Sequence, residues 1–285
     1  MNKSVEKEIQ RYLRKGEHDA SFLGWPGEDF MARGQHGHAA LLKALISTVR
    51  KRTTRATVPT ALANMDVVTW TRAKVAPMVR GLFPRHEYAT VLDVLGRSVV
   101  FLTPANIETV LREMRWLGTA WDLANLYLES FGAELLSKHA PRIVGLSDEM
   151  TCYVSADYFR EERRFDDFVV HEAAHVFHNC KRRTIGLRET RRREWLLEID
   201  FVKRETFAYC CEAYSRILAL GGGPSARKIL LSEREQGLRL SEDRVDVAEY
   251  LDILREAAAA RNGWKRILAR CSPSRPARRR GSEVA

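Results

Sequence analysis

The stretch Phe168-Val169-Val170-His171-Glu172-Ala173-Ala174-His175-Val176-Phe177 sets two imidazoles four residues apart with a carboxylate between them. On a helix of about 3.6 residues per turn, His171 and His175 point the same way, one turn apart. Two imidazoles on one face can share a tetrahedral zinc ion, with bonds of about 2.0–2.1 Å. Glu172 lies one step round the helix, where it can take a proton from a neighbouring water instead of binding the ion. The flanks are apolar, two alanines keep the interior small, and neither proline nor stray charge interrupts the run. Asp166 and Asp167 stand just upstream, where a helix start favours acidic and capping side chains. A purely structural helix of this composition would bury three polar side chains without partners, which is costly.

A catalytic zinc ion usually has three protein ligands, so a third is required. His178 lies seven residues beyond His171, about 10.5 Å along the helix axis, too far to join the same ion. It remains a candidate to flank the cleft and touch substrate. The longer pattern with a third histidine is absent, since Lys181 occupies its last position. The missing ligand must come from another segment.

His171-Glu172-x-x-His175 is the H-E-x-x-H pattern. Together with Arg204-Glu205-Thr206-Phe207-Ala208-Tyr209 it resembles the zincin metallopeptidases in their gluzincin-like arrangement. In that group a Glu on a second, downstream helix completes the site. The resemblance therefore implies Glu205 as third metal ligand and Zn2+ as cofactor. It also implies an α+β, mostly α-helical, two-lobed fold with a small sheet beside the HExxH helix. The implied activity is hydrolysis of a peptide bond in a protein or peptide substrate. Glu172 would be the general base that passes its proton to the leaving amine, and Tyr209 and His178 are candidate donors to the oxyanion. One departure matters. The thermolysin-like branch carries an Asp four residues after the ligand Glu, where this chain has Tyr209. The carboxylate that supports a ligand histidine is thus unassigned, with Asp200 and Glu212 as substitutes.

The residues themselves favour Glu205 over Glu198, Asp200 and Glu212. Val202, Ala208 and Tyr209 place Glu205 on an apolar stripe, where a carboxylate is costly unless it meets a cation. Arg216 follows Glu212 by one turn, the mark of a solvated pair. Glu198 and Asp200 stand at the helix start, where capping is the commoner role.

The elements that must position these groups read mostly as helices. Apolar spacing predicts helices at 3–15, 39–51, 67–82, 85–95, 104–117, 119–137, 200–220, 225–236, 243–260 and 264–270. His36 and His38 fall between glycines and read as a loop before the second helix. Residues 50–60 read as a linker, and Thr103-Pro104 as a helix start. Ser98–Leu102 reads as a buried strand, and 142–146 with 151–155 as a hairpin. Lys181 to Glu194 reads as basic and irregular. Three regions follow: 1–55 as an N-terminal helical region, 56–271 as the metallohydrolase domain, and 272–285 as a basic disordered tail.

Composition bounds the rest. A chain of 285 residues can bury a large core. No run of 18 apolar residues is present, and the first residues lack a secretory signal, so a cytoplasmic location is expected. Five cysteines without a paired framework read as reduced thiols. A formal net charge of +10, with clusters at 50–52, 181–183, 191–193 and 278–280, leaves room for weak nucleic-acid contact. No nucleic-acid-binding motif accompanies them, and no membrane partner is expected. Two other functions remain open. One is a basic, nucleic-acid-associated protein with a structural or vestigial zinc site. The other is a zinc hydrolase of a non-peptide amide.

Overall fold

The computed structural model describes residues 3–160, 164–191, 193–238 and 245–273. The tail from residue 274 onward, expected to be disordered, lies outside the described residues. Within them the chain forms α1 (Lys3–Lys15), α2 (Phe30–Arg52), α3 (Thr60–Ala63), α4 (Val67–Leu82), α5 (Tyr88–Ser98) and β1 (Val99–Phe101). There follow α6 (Ile107–Glu113), α7 (Leu117–Ser130), β2 (Gly145–Asp148), β3 (Thr151–Val154) and α8 (Phe168–Asn179). The last four helices are α9 (Arg204–Leu220), α10 (Pro224–Gln236), α11 (Val247–Ala259) and α12 (Gly263–Cys271). The class is α+β with helix dominant.

The chain divides into two compact units, each made of two segments: Met1–Thr71 with Gly96–Arg163, and Arg72–Leu95 with Arg164–Ala285. The boundaries fall inside α4 and α5, not at residue 56. The expected separate region 1–55 is therefore part of a larger unit. The reason is burial: the apolar stripes of α1 and α2 share one core with α6 and α7, through Tyr12, Leu41, Leu45, Leu111, Leu123 and Tyr127. Two polar contacts tie the same helices: the Tyr12 hydroxyl donates to the Leu117 carbonyl at 2.7 Å and the Trp121 indole to Leu13 at 3.1 Å.

Several expected boundaries move for local reasons. Helix α2 begins nine residues before position 39, because Asp29 accepts from the Ala32 amide at 2.7 Å and caps it. His36 and His38 therefore sit on a helix, with ring nitrogens near the Pro26 and Arg115 carbonyls at 3.0 and 3.3 Å. Gly37 is tolerated there because any Cβ would fall 2.3 Å from the Phe22 ring. Helix α6 starts at Ile107, since the Asn106 side chain accepts from Thr103 N–H and donates to the Phe101 carbonyl, holding 103–106 as a turn.

In the first unit β1 runs parallel to β3, and β2 pairs antiparallel with β3, in the order β1-β3-β2. The hairpin is tighter than expected, with Asp148 opposite Thr151 and Glu149 at positive φ in the turn. The expected placement of the sheet beside the HExxH helix meets a division of the chain, since the strands belong to the first unit and α8 to the second.

In the second unit α9 is the central helix, in contact with α8, α10, α11 and α12. Phe207, Ala208, Cys210, Cys211, Ala213 and Ile217 on α9 are fully buried. All five cysteines of the chain are free and buried. Close packing of α4 on α12 requires Gly81, where a Cβ would lie 2.1 Å from Trp264 Cδ1.

The basic stretch after α8 is more ordered than its composition suggests. Arg182 is only 1% exposed and donates to the Arg188 carbonyl at 2.8 Å and to the Glu87 carboxylate. Lys181 pairs with Glu194 at 2.6 Å and Arg183 with Glu189 at 3.8 Å. No helix among the described residues is long and apolar enough to cross a membrane.

Candidate metal centre

Helix α8 is apolar nearly all round, so burial, not one amphipathic face, fixes it. From Val169 to His178 every residue except His171 is buried. Its start is held as the sequence predicts. Asp167 caps Val170 N–H at 3.4 Å, and Lys74 approaches the Asp167 carboxylate at 2.8 Å. Helix α9 packs against α8 in the opposite direction, since Asp167 meets Glu212 while His175 meets Glu205.

Both helices present a polar stripe at positions i, i+4 and i+7, the spacing that keeps one face across two turns. On α8 these are His171, His175 and His178; on α9 they are Glu205, Tyr209 and Glu212. The Nε2 atoms of His171 and His175 are 3.3 Å apart. Glu205 straddles them, with Oε2 at 3.7 Å from His171 Nε2 and Oε1 at 3.6 Å from His175 Nε2. Among the described residues these three form a group whose ligand atoms all lie within 4.8 Å of one another.

These spacings can be tested against an ion. Donor atoms around a tetrahedral zinc with bonds of about 2.0–2.2 Å stand roughly 3.3–3.6 Å apart. The 3.3 Å between the two Nε2 atoms matches that spacing, and the Glu205 carboxylate reaches the pair with a different oxygen for each, at 3.7 and 3.6 Å. The two-nitrogen, one-carboxylate donor set also suits zinc.

The rear faces of the imidazoles are fixed. His171 Nδ1 lies 3.2 Å from Glu212 Oε2, and the other Glu212 oxygen accepts from Asp167 N–H at 2.6 Å. His175 Nδ1 lies 3.0 Å from His178 Nε2, and His178 Nδ1 lies 2.9 Å from Asn179 Oδ1. The amide oxygen can only accept, so His178 Nδ1 carries the proton and its Nε2 accepts from His175 Nδ1–H. That leaves His175 Nε2 bare, facing His171 and Glu205. Carboxylate Glu212 accepts from His171 Nδ1–H and orients its Nε2 towards the same point.

Burial alone would lower His171, yet Glu205 and Glu212 outweigh it and lift its pKa to about 10. Burial and the charge of His171 push His175 down to about 3. Burial and Arg204 push His178 to about 4. The two Nε2 atoms and the Glu205 carboxylate form a group that could hold a metal ion.

The residues singled out from sequence fall as follows. Glu172 is buried on α8 beside His171, and its charge acts on that ring. Tyr209 sets its ring against His171, with centroids 4.5 Å apart at 71°. His178 stands behind His175 with both ring nitrogens engaged, so it offers no donor towards a substrate. Glu198 accepts from Glu194 and Trp195 N–H at 2.8 and 3.1 Å, and Asp200 caps Val202 N–H at 3.2 Å, so both are spent on backbone. The apolar stripe used to single out Glu205 is corrected in one member: Val202 is 77% exposed. The larger correction is Glu212. It is buried and linked to His171, not solvated beside Arg216, which donates instead to the Arg164 carbonyl at 3.0 Å. The other sequence reading of Glu212, as a substitute for the carboxylate that supports a ligand histidine, fits its contact with His171, and Glu212 lies seven residues from Glu205 on the same helix face.

Comparison of the chain with protein-family profiles, with curated proteins and with solved structures finds no match.

Proposed function

We propose that this protein is a zinc-dependent metallopeptidase that hydrolyses a peptide bond. The observation that supports this most is the convergence of His171 Nε2, His175 Nε2 and the Glu205 carboxylate, with hydrogen bonds behind both imidazoles that orient them inward. His171, His175 and Glu205 would hold the ion; Glu212 and His178 would hold the ligands in orientation. A bound zinc ion supplies Lewis acidity, lowering the pKa of a water towards about 7 and polarising a carbonyl.

The remaining chemistry belongs to the chain. Glu172, one residue from a ligand, takes a proton onto its carboxylate from the attacking water and delivers it to the leaving amine. Tyr209, in ring contact with His171, is the donor to the developing oxyanion. Burial of Glu172 keeps bulk water from competing for that proton.

Glu172→Gln tests the reading. The amide is nearly the same size but cannot accept the proton, so metal and fold should persist. Peptide hydrolysis should fall by roughly 10²–10⁴-fold. Activity close to that of the parent protein would contradict the role of Glu172 and the reaction class.

A further inference from the structure

Asp167 is where the start of α8 meets the back of the candidate centre. Its backbone N–H donates to Glu212 Oε1 at 2.6 Å, and its carbonyl accepts from His171 N–H at 2.9 Å. One carboxylate oxygen caps Val170 N–H at 3.4 Å. The other lies 2.8 Å from Lys74 Nζ, with the Asp167 side chain 1% exposed and that of Lys74 22%. Asp166, beside it, is more open and faces Arg234 at 3.7 Å instead. Two buried carboxylates, Asp167 and Glu212, are thus held at one helix start, and charges of one sign taken out of water require a cation.

Lys74 brings that cation from another helix. It meets Asp167 at the start of α8, while Phe83, just past α4, sets its ring 5.3 Å from that of Phe177 near the end of α8. The spacings agree for helices that run the same way, since nine residues of α4 advance about 13.5 Å and ten of α8 about 15 Å. Val75, Met78 and Val79 are buried, so the backbone beneath Lys74 is held by packing. A buried carboxylate that loses its cation turns towards water. If Asp167 turns, the N–H that fixes Glu212 turns with it, and the 3.2 Å contact of Glu212 with His171 Nδ1 goes too.

We infer that Lys74 is a positioning residue: through Asp167 and Glu212 it holds the His171 ring in the orientation a metal ion requires. The inference rests on the metal centre proposed above. A positive charge near a site for a divalent ion would by itself weaken binding, so a positioning role and a purely electrostatic one have opposite signs.

The test uses Lys74→Met in the full chain, which keeps the side-chain stem and removes the charge. Two quantities are measured: the His171 Nδ1–H proton signal by NMR of the metal-free protein, and zinc affinity by competition with a chelator. The signal should shift or broaden away, and zinc affinity should fall roughly tenfold, the low end of the effect of partners behind a ligand. Lys74→Arg should keep part of both. Adding Asp167→Asn to Lys74→Met should restore both, because the amide still caps Val170 N–H and leaves no charge to compensate. Lys181→Met, which removes a cation paired with Glu194 in the same unit, should change neither. An unchanged signal and affinity, tighter zinc binding, no recovery in the double variant, or an equal loss in Lys181→Met overturns the role of Lys74. A parent protein that shows these NMR changes but binds no zinc supports the positioning of His171 and overturns the metal reading alone.

Discussion

Nδ1 of His175 lies 3.0 Å from Nε2 of His178, one turn further along α8. This contact sets His178 behind His175, where it orients the ring that faces His171 and Glu205. Asn179 fixes the tautomer of His178, and His178 fixes that of His175. A one-turn relay of this kind needs no second segment of chain, since the helix itself supplies the spacing.

His178→Ala should therefore weaken zinc affinity by about 10–100-fold, the usual effect of removing a partner behind a ligand histidine. Competition against a chelator of known affinity measures this. Unchanged affinity would show that burial alone orients His175.

Glu212→Ala removes the acceptor of both His171 Nδ1–H and the Asp167 backbone N–H. The expected result is a loss of zinc affinity of about 10–100-fold. The metal-free protein should also lose about 1–3 kcal/mol of stability, because two donors, one of them buried, are left without acceptors. Denaturant unfolding of the metal-free form separates the two effects. A change of only a few tenths of a kcal/mol, as for a solvated helix pair, would contradict this placement of Glu212.

Arg182→Ala should destabilise by about 3–5 kcal/mol, since it leaves the Glu87 carboxylate buried without its main cation. Urea unfolding should show a lower midpoint with the slope preserved. A surface arginine would give a change near zero.

Legibility differed between residues for physical reasons. The spacing of His171, Glu172 and His175 was readable because a helix maps sequence distance onto a face, and the Asp167 cap was readable for the same kind of reason. Helices α1, α4, α9 and α12 follow from apolar period and terminal signals. The early start of α2 was not readable, because Gly37 argues against helix until the Phe22 ring is seen to require its lack of side chain. Glu212 was read two ways: as a substitute carboxylate behind a ligand histidine, which its contact with His171 fits, and as half of a solvated pair, which failed because Arg216 is a local pattern whereas the partners of Glu212 come from another helix. Arg182 looked like one member of a basic run, and only the fold brings Glu87 to it. Tertiary partners of charged side chains leave little trace in local sequence.

The central claim is a zinc ion held by His171, His175 and Glu205. Elemental analysis of the purified protein, with His171→Ala/His175→Ala and Glu205→Ala beside it, tests this most directly. The account predicts close to one zinc per chain in the parent protein, almost none in the double variant, and markedly weakened retention in Glu205→Ala. Full occupancy in the double variant, or retention lost with Glu212→Ala while Glu205→Ala binds normally, would contradict it.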